Sequence, residues 1–255
     1  KPALLPLADA REKDETVETP QVMRLGDAQS ALASAPKSLK GALEMGGQDH
    51  FYLEGQIAMA VPGEDGALKI YSSTQNPTEA QHLIAHLLHK SSAAVTVEVR
   101  RMGGAFGGKE TQSTLVAAIA ALASEKTGRP AKLRLDRDDD MIMTGKRHDF
   151  VIEYQAGYDE QGLLRSAVFD LSSRCGFSTD LSLAINDRAM FHSDNCYYLN
   201  AAEITSHRFR TNTVSNTAFR GFGGPQGMLG VERMMDEIAF SVGRDPLDVR
   251  LNNLY

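Results

Sequence analysis

Polar and apolar positions follow two periods along this chain, and each period predicts its own set of elements. Val95-Thr96-Val97-Glu98-Val99 alternates and is β-branched, which predicts a strand. Residues 57–61 and 68–72 read as two arms of a hairpin around a Gly63-Glu64-Asp65-Gly66 turn. Residues 150–158 and 163–173 alternate on either side of Asp159-Glu160-Gln161-Gly162, a second antiparallel hairpin. Residues 132–136 and 202–209 add two more strands. Helical spacing appears elsewhere. Leu83 and Leu87, widened by Ile84 and Leu88, follow the start signal Asn76-Pro77-Thr78-Glu79, with Asn at N-cap, Pro at N1 and Glu at N3. Leu115, Ile119 and Leu122 share a face that ends at Thr127-Gly128-Arg129-Pro130. Val231, Met235, Ile238 and Val242 share another, opened by Pro225 and closed by Gly243, and Asp245-Pro246-Leu247-Asp248 starts a last helix. The predicted helices are 77–90, 110–127, 225–242 and 246–252.

These elements predict an α+β fold of two α/β layers, each a mixed or antiparallel sheet with helices on one face. Residues 1–43 show little periodicity and read as a linker or the tail of a preceding domain. The two layers are expected over 44–137 and 138–255. The stretch 187–198 reads as irregular and polar.

Two glycine loops stand between strand and helix signals: Gly103-Gly104-Ala105-Phe106-Gly107-Gly108-Lys109-Glu110 and Arg220-Gly221-Phe222-Gly223-Gly224-Pro225. Missing Cβ atoms let a ligand approach the backbone, and φ > 0 lets successive N–H groups converge on an anion. A helix start behind each loop adds unpaired N–H groups. One such loop alone reads as a tight turn. Two in matching settings suggest a ligand cradle, and the match extends outward: Phe106 to Gly128 is 22 residues, Phe222 to Gly243 is 21. If the layers are related, both loops face one cleft, with Gln75, Glu110, Arg188 and Phe222 in the same space.

Composition removes several alternatives. The chain of 255 residues is 42% hydrophobic and 24% charged, as in ordinary globular proteins. A net charge of -6 leaves no basic footprint for nucleic acid. No run of 18 apolar residues is present, so no membrane span is expected. Cys175 and Cys196 form no CxxC pair, which argues against a disulfide framework or an iron–sulfur site within this chain and fits a reducing cytoplasm. His82, His86 and His89 have a ligand-like spacing, but no carboxylate or cysteine completes a metal set, and a solvated face is expected. Asp136 to Asp140 holds four acidic residues without EF-hand spacing, and a solvated turn is expected. Neither loop continues into the Gly-Lys-Ser/Thr of a nucleotide P-loop. The chain lacks an initiator Met and is read as part of a longer polypeptide.

Taken together, five stretches resemble the molybdenum hydroxylase family of xanthine dehydrogenases and aldehyde oxidases. They are Glu44-Met45-Gly46-Gly47-Gln48-Asp49-His50-Phe51-Tyr52-Leu53-Glu54, Ser73-Thr74-Gln75-Asn76-Pro77, the two glycine loops, and Asp194-Asn195-Cys196-Tyr197 between them. The resemblance covers residues 44–255. It implies a molybdopterin-binding domain of an enzyme that hydroxylates an electron-poor ring carbon. Electrons would pass through 2Fe-2S clusters and FAD, on other domains or subunits, to NAD or another acceptor.

By the same resemblance, Gln75 hydrogen-bonds an oxo ligand of molybdenum. Phe106 and Arg220 offer backbone N–H groups to the metal's oxygen ligands and the pterin, with Gly104 and Gly107 in the cradle. Phe222 stacks on the substrate. Glu110 and Arg188 contact a purine (hypoxanthine or xanthine, oxidised to urate), where aldehyde oxidases tend to carry apolar residues. The family's general-base Glu and further pterin contacts lie beyond this stretch, so the remaining molybdopterin domain is an expected partner, in an oligomeric parent enzyme. An aldehyde oxidase-type enzyme is the nearest alternative, and a catalytically inert isolated piece is the other.

Overall fold

A computed structural model describes residues 2–255, and its contacts divide the chain into two units. One comprises 49–147 and 214–220, the other 1–48, 148–213 and 221–255. The smaller unit is therefore an insertion, and the boundary falls at neither of the positions the sequence suggested.

The inserted unit carries strands β3 (Ile57–Pro62), β4 (Leu68–Ser72), β5 (Val95–Glu98) and β6 (Ala131–Arg134) in the order β5-β4-β3-β6. The β3–β4 hairpin is antiparallel as expected, β6 runs antiparallel to β3, and β5 runs parallel to β4. A parallel neighbour needs a crossover, which is helix α3 (Pro77–Leu87). Its capping box forms: Asn76 Oδ1 accepts from Glu79 N, and Asn76 Nδ2 donates to Glu79 Oε2. Helix α4 (Ser113–Thr127) ends at Gly128 with φ +65°, the left-handed cap the sequence announced.

The buried face of α4 differs from the expected one. Val116, Ala117, Ala120, Ala121 and Ser124 are inside, whereas Leu115, Ile119 and Leu122 are exposed. On α3, Ala80, Ile84 and Ala85 are buried and Leu83 and Leu87 exposed. Small residues let these helices lie close to each other and to Ala58, Ala60 and Ile70 of the sheet. Bulk marks an apolar stripe in sequence, but here close approach selects alanine.

The larger unit is built on a five-stranded sheet. Its strands are β1 (Gln21–Leu25), β2 (Lys37–Met45), β7 (Phe150–Tyr158), β8 (Leu164–Gly176) and β9 (Ala202–Arg210), in the order β1-β9-β8-β7-β2. Only β8 and β9 run parallel. The β7–β8 turn forms as predicted, with Asp159 Oδ1 accepting from Gln161 N and Leu163 N. Ile152, Tyr154, Phe169 and Leu171 form one core with Val231, Met235 and Ile238 of helix α7 (Gly224–Val242). Helix α8 (Pro246–Asn252) starts at Asp245 as expected.

Three segments correct the sequence reading. Residues 2–43 are not a linker: they supply α1 (Leu7–Glu12), β1, α2 (Ala28–Ser34) and β2. Their alternation is weak because β1 and β2 are edge strands, half-exposed along their length. Asp136 is the N-cap of α5 (Arg137–Met143), accepting from Asp139 N, and Asp140 is buried. Residues 182–191 form α6 (Ser182–Phe191), which starts at Leu181 without a side-chain cap and so carries no start signal. Among the described residues, no helix is long and apolar enough to cross a membrane.

Candidate functional site

In the inserted unit the first glycine loop rests on a row of polar side chains. After Gly46-Gly47, residues 50, 52, 54 and 56 all reach beneath it. His50 Nε2 lies 2.6 Å from the carbonyl oxygen of Ala218, and its ring is 4.7 Å from that of Phe219. Tyr52 donates to Asp140 at 2.6 Å. Glu54 accepts from Gly103 N at 2.8 Å, while its own N–H donates to Gly103 O at 3.0 Å. Gln56 Nε2 donates to Gly108 O at 2.8 Å. The next anchor is Lys109, whose side chain is 0% exposed. Its Nζ donates to Ser73 Oγ at 2.8 Å and Glu54 Oε2 at 3.2 Å, and lies 4.8 Å from the centre of the Tyr52 ring.

Burial pushes the Lys109 ammonium below its ordinary range even beside an acid. Burial would raise Glu54, but the Gly103 N–H, Ser73 and Lys109 outweigh it and hold its carboxyl below the usual value. The asymmetry has a geometric cause, since Lys109 is enclosed and Glu54 has an open side.

Gln75 supplies the loop's upper support. Its Oε1 accepts from Gly107 N at 2.9 Å and Lys109 N at 3.3 Å, while its backbone N–H donates to Lys109 O at 2.8 Å. Two N–H donors can be met only by the amide oxygen, so the side-chain orientation is fixed. The NH₂ group then points away from the loop, with no partner among the described residues. The N–H of Phe106 also has none. Phe106 itself is half-exposed and left-handed at φ +56°, between Gly104 at +97° and Gly107 at +102°. Such backbone costs about 1–3 kcal/mol for a residue with a Cβ and gathers at ligand sites. At Gly107 glycine is obligatory, because a Cβ would sit 2.7 Å from Ala218 O.

Residues 218–220 close against this loop within the same unit. Arg220 N donates to Phe106 O at 2.8 Å, so that N–H is occupied. The Arg220 amide is thus not open for the ligand contact expected of it, whereas its side chain is exposed. Arg147 donates to Arg220 O at 2.7 Å, with its guanidinium 3.9 Å from the centre of the Phe219 ring. Glu110 lies in the turn before α4, which starts only at Ser113, so it is not a first-turn helix acid.

Arg188 and Phe222 belong to the larger unit, whereas Gln75, Phe106, Glu110 and Arg220 belong to the inserted one. Phe222 repeats the geometry of Phe106: φ +49° between Gly221 at +95° and Gly223 at +92°. Gly223 and Gly227 let α7 approach α6, since a Cβ at either would fall 2.0–2.1 Å from Ile185 O or Ala189 O. Arg188 projects from α6 and is exposed. Two carboxylates near it in sequence are engaged elsewhere: Asp187 pairs with buried Arg208, which also holds Glu18, and Asp194 accepts from Tyr255. Among the described residues, the only hydrogen bond of the Arg188 guanidinium is to His192 Nε2 at 3.3 Å. The Asp194-Asn195-Cys196-Tyr197 stretch is an anchor: Asn195 and Tyr197 both donate to Glu232 of α7, which Arg250 of α8 also holds.

The support residues His50, Tyr52, Glu54, Gln56 and Lys109 were not marked as site residues by sequence reasoning. For the first four the signal was the every-second-residue spacing of polar side chains from 50 to 56, which places them on one side of an extended chain. Among the described residues no cluster of three His, Cys, Asp or Glu is placed to hold a metal ion. The donors here are backbone N–H and amide groups, which suit the oxygens of an anionic group that brings its own metal. A molybdenum–pterin fits that donor set.

Comparison with known proteins gives the same direction. A model of the molybdopterin cofactor-binding domain matches residues 10–254. The chain is 43% identical over its full length to "Xanthine dehydrogenase/oxidase" of Felis catus, and 44% identical to the protein of that name from Mus musculus. It spans 19% of the length of each. Among solved structures, the aldehyde oxidoreductase from Desulfovibrio gigas superposes with a TM-score of 0.91 at 28% identity, over 100% of this chain and 29% of that one.

Proposed function

The chain belongs to the molybdopterin cofactor-binding domain family, and on that premise we propose that it is part of the catalytic machinery of a molybdenum hydroxylase acting on oxopurines. The observation that carries this reading is the Gln75 amide. Two loop N–H groups hold its oxygen, so its NH₂ and the unpaired Phe106 N–H are left as donors for oxygens of the bound group. The group supplies two-electron oxidation chemistry when bound. Gln75 orients it, Gly104 and Gly107 keep the backbone accessible, and the Arg220 guanidinium offsets its negative charge.

Arg188 supports the purine assignment. A guanidinium without an acidic partner among the described residues is available to the oxygen of an oxopurine, where negative charge grows as the ring carbon is oxidised. Glu110 takes ring N–H groups, and Phe222, fixed by its flanking glycines, stacks on the planar ring. The electrons leave through 2Fe-2S and FAD groups elsewhere in the parent enzyme to NAD or another acceptor.

The test is Arg188→Met in that enzyme, with molybdenum content checked. Loss of one such contact commonly lowers the rate about 10²–10³-fold. Turnover of xanthine should fall by that factor in kcat, while an aromatic aldehyde, which lacks the oxygen, is turned over as before or faster. Equal losses on both substrates at full molybdenum content would assign Arg188 a structural role and leave the aldehyde-oxidising alternative.

A further inference from the structure

His192 is the residue best placed to control Arg188. The two are four residues apart, so their side chains share one face where α6 ends. Arg188 Nε donates to His192 Nε2 at 3.3 Å. A guanidinium has no acceptor, so His192 must present a bare Nε2, which places the proton of the neutral ring on Nδ1. The imidazole also lies against the start of α7. A Cβ added to Gly224 would be 3.3 Å from His192 Cδ2, and one added to Gly227 would be 3.2 Å from the His192 carbonyl carbon. Gly224 directly follows the left-handed Gly221-Phe222-Gly223 turn. One ring therefore lies beside both the arginine and the start of the helix that follows the Phe222 turn. Its backbone is held as well, since His192 N donates to Arg188 O at 3.1 Å.

We propose that His192 is a specificity-determining positioning residue, which orients the Arg188 guanidinium and registers it against the Phe222 turn for an oxopurine. The inference rests on the oxopurine reading above. A lone arginine side chain with four rotatable bonds samples many directions, and an acceptor at Nε limits them without adding a charge. A carboxylate in the same place would orient Arg188 equally well but would neutralise it. An imidazole orients it and leaves its charge for the ligand.

Three variants of the parent enzyme test this: His192→Phe keeps the ring without the acceptor, His192→Gln keeps an acceptor of similar reach, and His192→Asn has one too short to reach Arg188. The readouts are kcat and KM on xanthine and on an aromatic aldehyde, equilibrium binding of urate, and molybdenum content. His192→Phe and His192→Asn should weaken urate binding and raise KM for xanthine about tenfold, the low end for a hydrogen bond to a charged group. Aldehyde turnover should be unchanged, and His192→Gln should recover most of the loss. If His192→Phe lowers molybdenum content, the comparison is Gln against Asn. Equal constants for those two, or parallel losses on xanthine and aldehyde, would overturn the proposal. Arg188→Met, run alongside, separates the two failures. A selective effect of Arg188→Met with none from His192 variants rejects only the role of His192, and no selective effect of Arg188→Met rejects the oxopurine reading.

Discussion

Separating Lys109 from Glu54 should have unequal consequences on the two sides of the pair. Lys109 is wholly enclosed and Glu54 is 37% exposed. Glu54→Gln would leave an ammonium in the interior with Ser73 Oγ and the Tyr52 ring as its nearest support and Asp140 as the remaining acid acting on it. Stranding a buried charge costs about 3–5 kcal/mol. Lys109→Met leaves Glu54 with two donors, Gly103 N–H and Ser73 O–H, and with water on its open side. The loss there is that of one charge-assisted hydrogen bond, about 1–2 kcal/mol, because solvent supplies part of the replacement. The double variant contains no stranded ion. It should be more stable than Glu54→Gln alone, with a coupling of about 2 kcal/mol in the cycle. Urea unfolding of the four proteins, fitted with a common slope, gives all three differences. If Lys109→Met costs as much as Glu54→Gln, or the double variant shows the sum of the single losses, the enclosed cation is not what the acid serves.

Two further outcomes follow from the same unit. Gln75→Glu keeps the oxygen that accepts from Gly107 and Lys109 but replaces the free NH₂ with an anion. It should unfold within a few degrees of the parent yet lose about 10²–10³-fold in xanthine turnover per molybdenum, and unchanged turnover would remove Gln75 from the site. His50 is held below its ordinary pKa of 6.5, first by burial and then by Lys146 and Arg147, against the raising effects of Ala218 O and Asp49. The unfolded chain therefore takes up this proton at a higher pH than the folded one, so stability is complete above about pH 6.5 and declines as pH falls below it. His50→Gln should flatten that part of the unfolding-midpoint profile, and an unchanged slope would place the titration elsewhere.

Much of this architecture was readable where a local rule acted alone. The capping box at Asn76, the glycine caps at 128 and 243 and the Asp159 turn each depend on a few adjacent residues, and each formed. Elements defined by distant partners were less legible. Leu115 and Ile119 read as core by size, but the face turned to the neighbouring helix and sheet is made mostly of small residues. The edge strands β1 and β2 look structureless alone and are fixed by β9 and β7 far along the chain. At the site, the glycine loops stood out by their density of glycine and by occurring twice in matching settings, and Gln75 was marked through the family resemblance. Lys109 did not, since nothing in Gly108-Lys109-Glu110 says that the lysine points inward. That direction is set by Glu54 and Ser73, which are 55 and 36 residues away.

The interruption of the larger unit has a consequence for the order in which the chain acquires structure as it is made. Gln21 of β1 pairs with Ser206 of β9, so 185 residues separate the two. At about 5–20 residues per second, that gap corresponds to roughly 10–40 s of synthesis. Residues 49–147 are complete well before then and contain the whole β5-β4-β3-β6 sheet with its two helices. The inserted unit can thus gain its core while β1 still waits for a partner, and the 214–220 segment reaches the glycine loop only after β9 has been made. A ribosome stalled after residue 147 has emerged but before β9 is made would hold a chain folded over 49–147 with β1 unpaired. Protease protection should then appear first over 49–147 and last over residues 21–25.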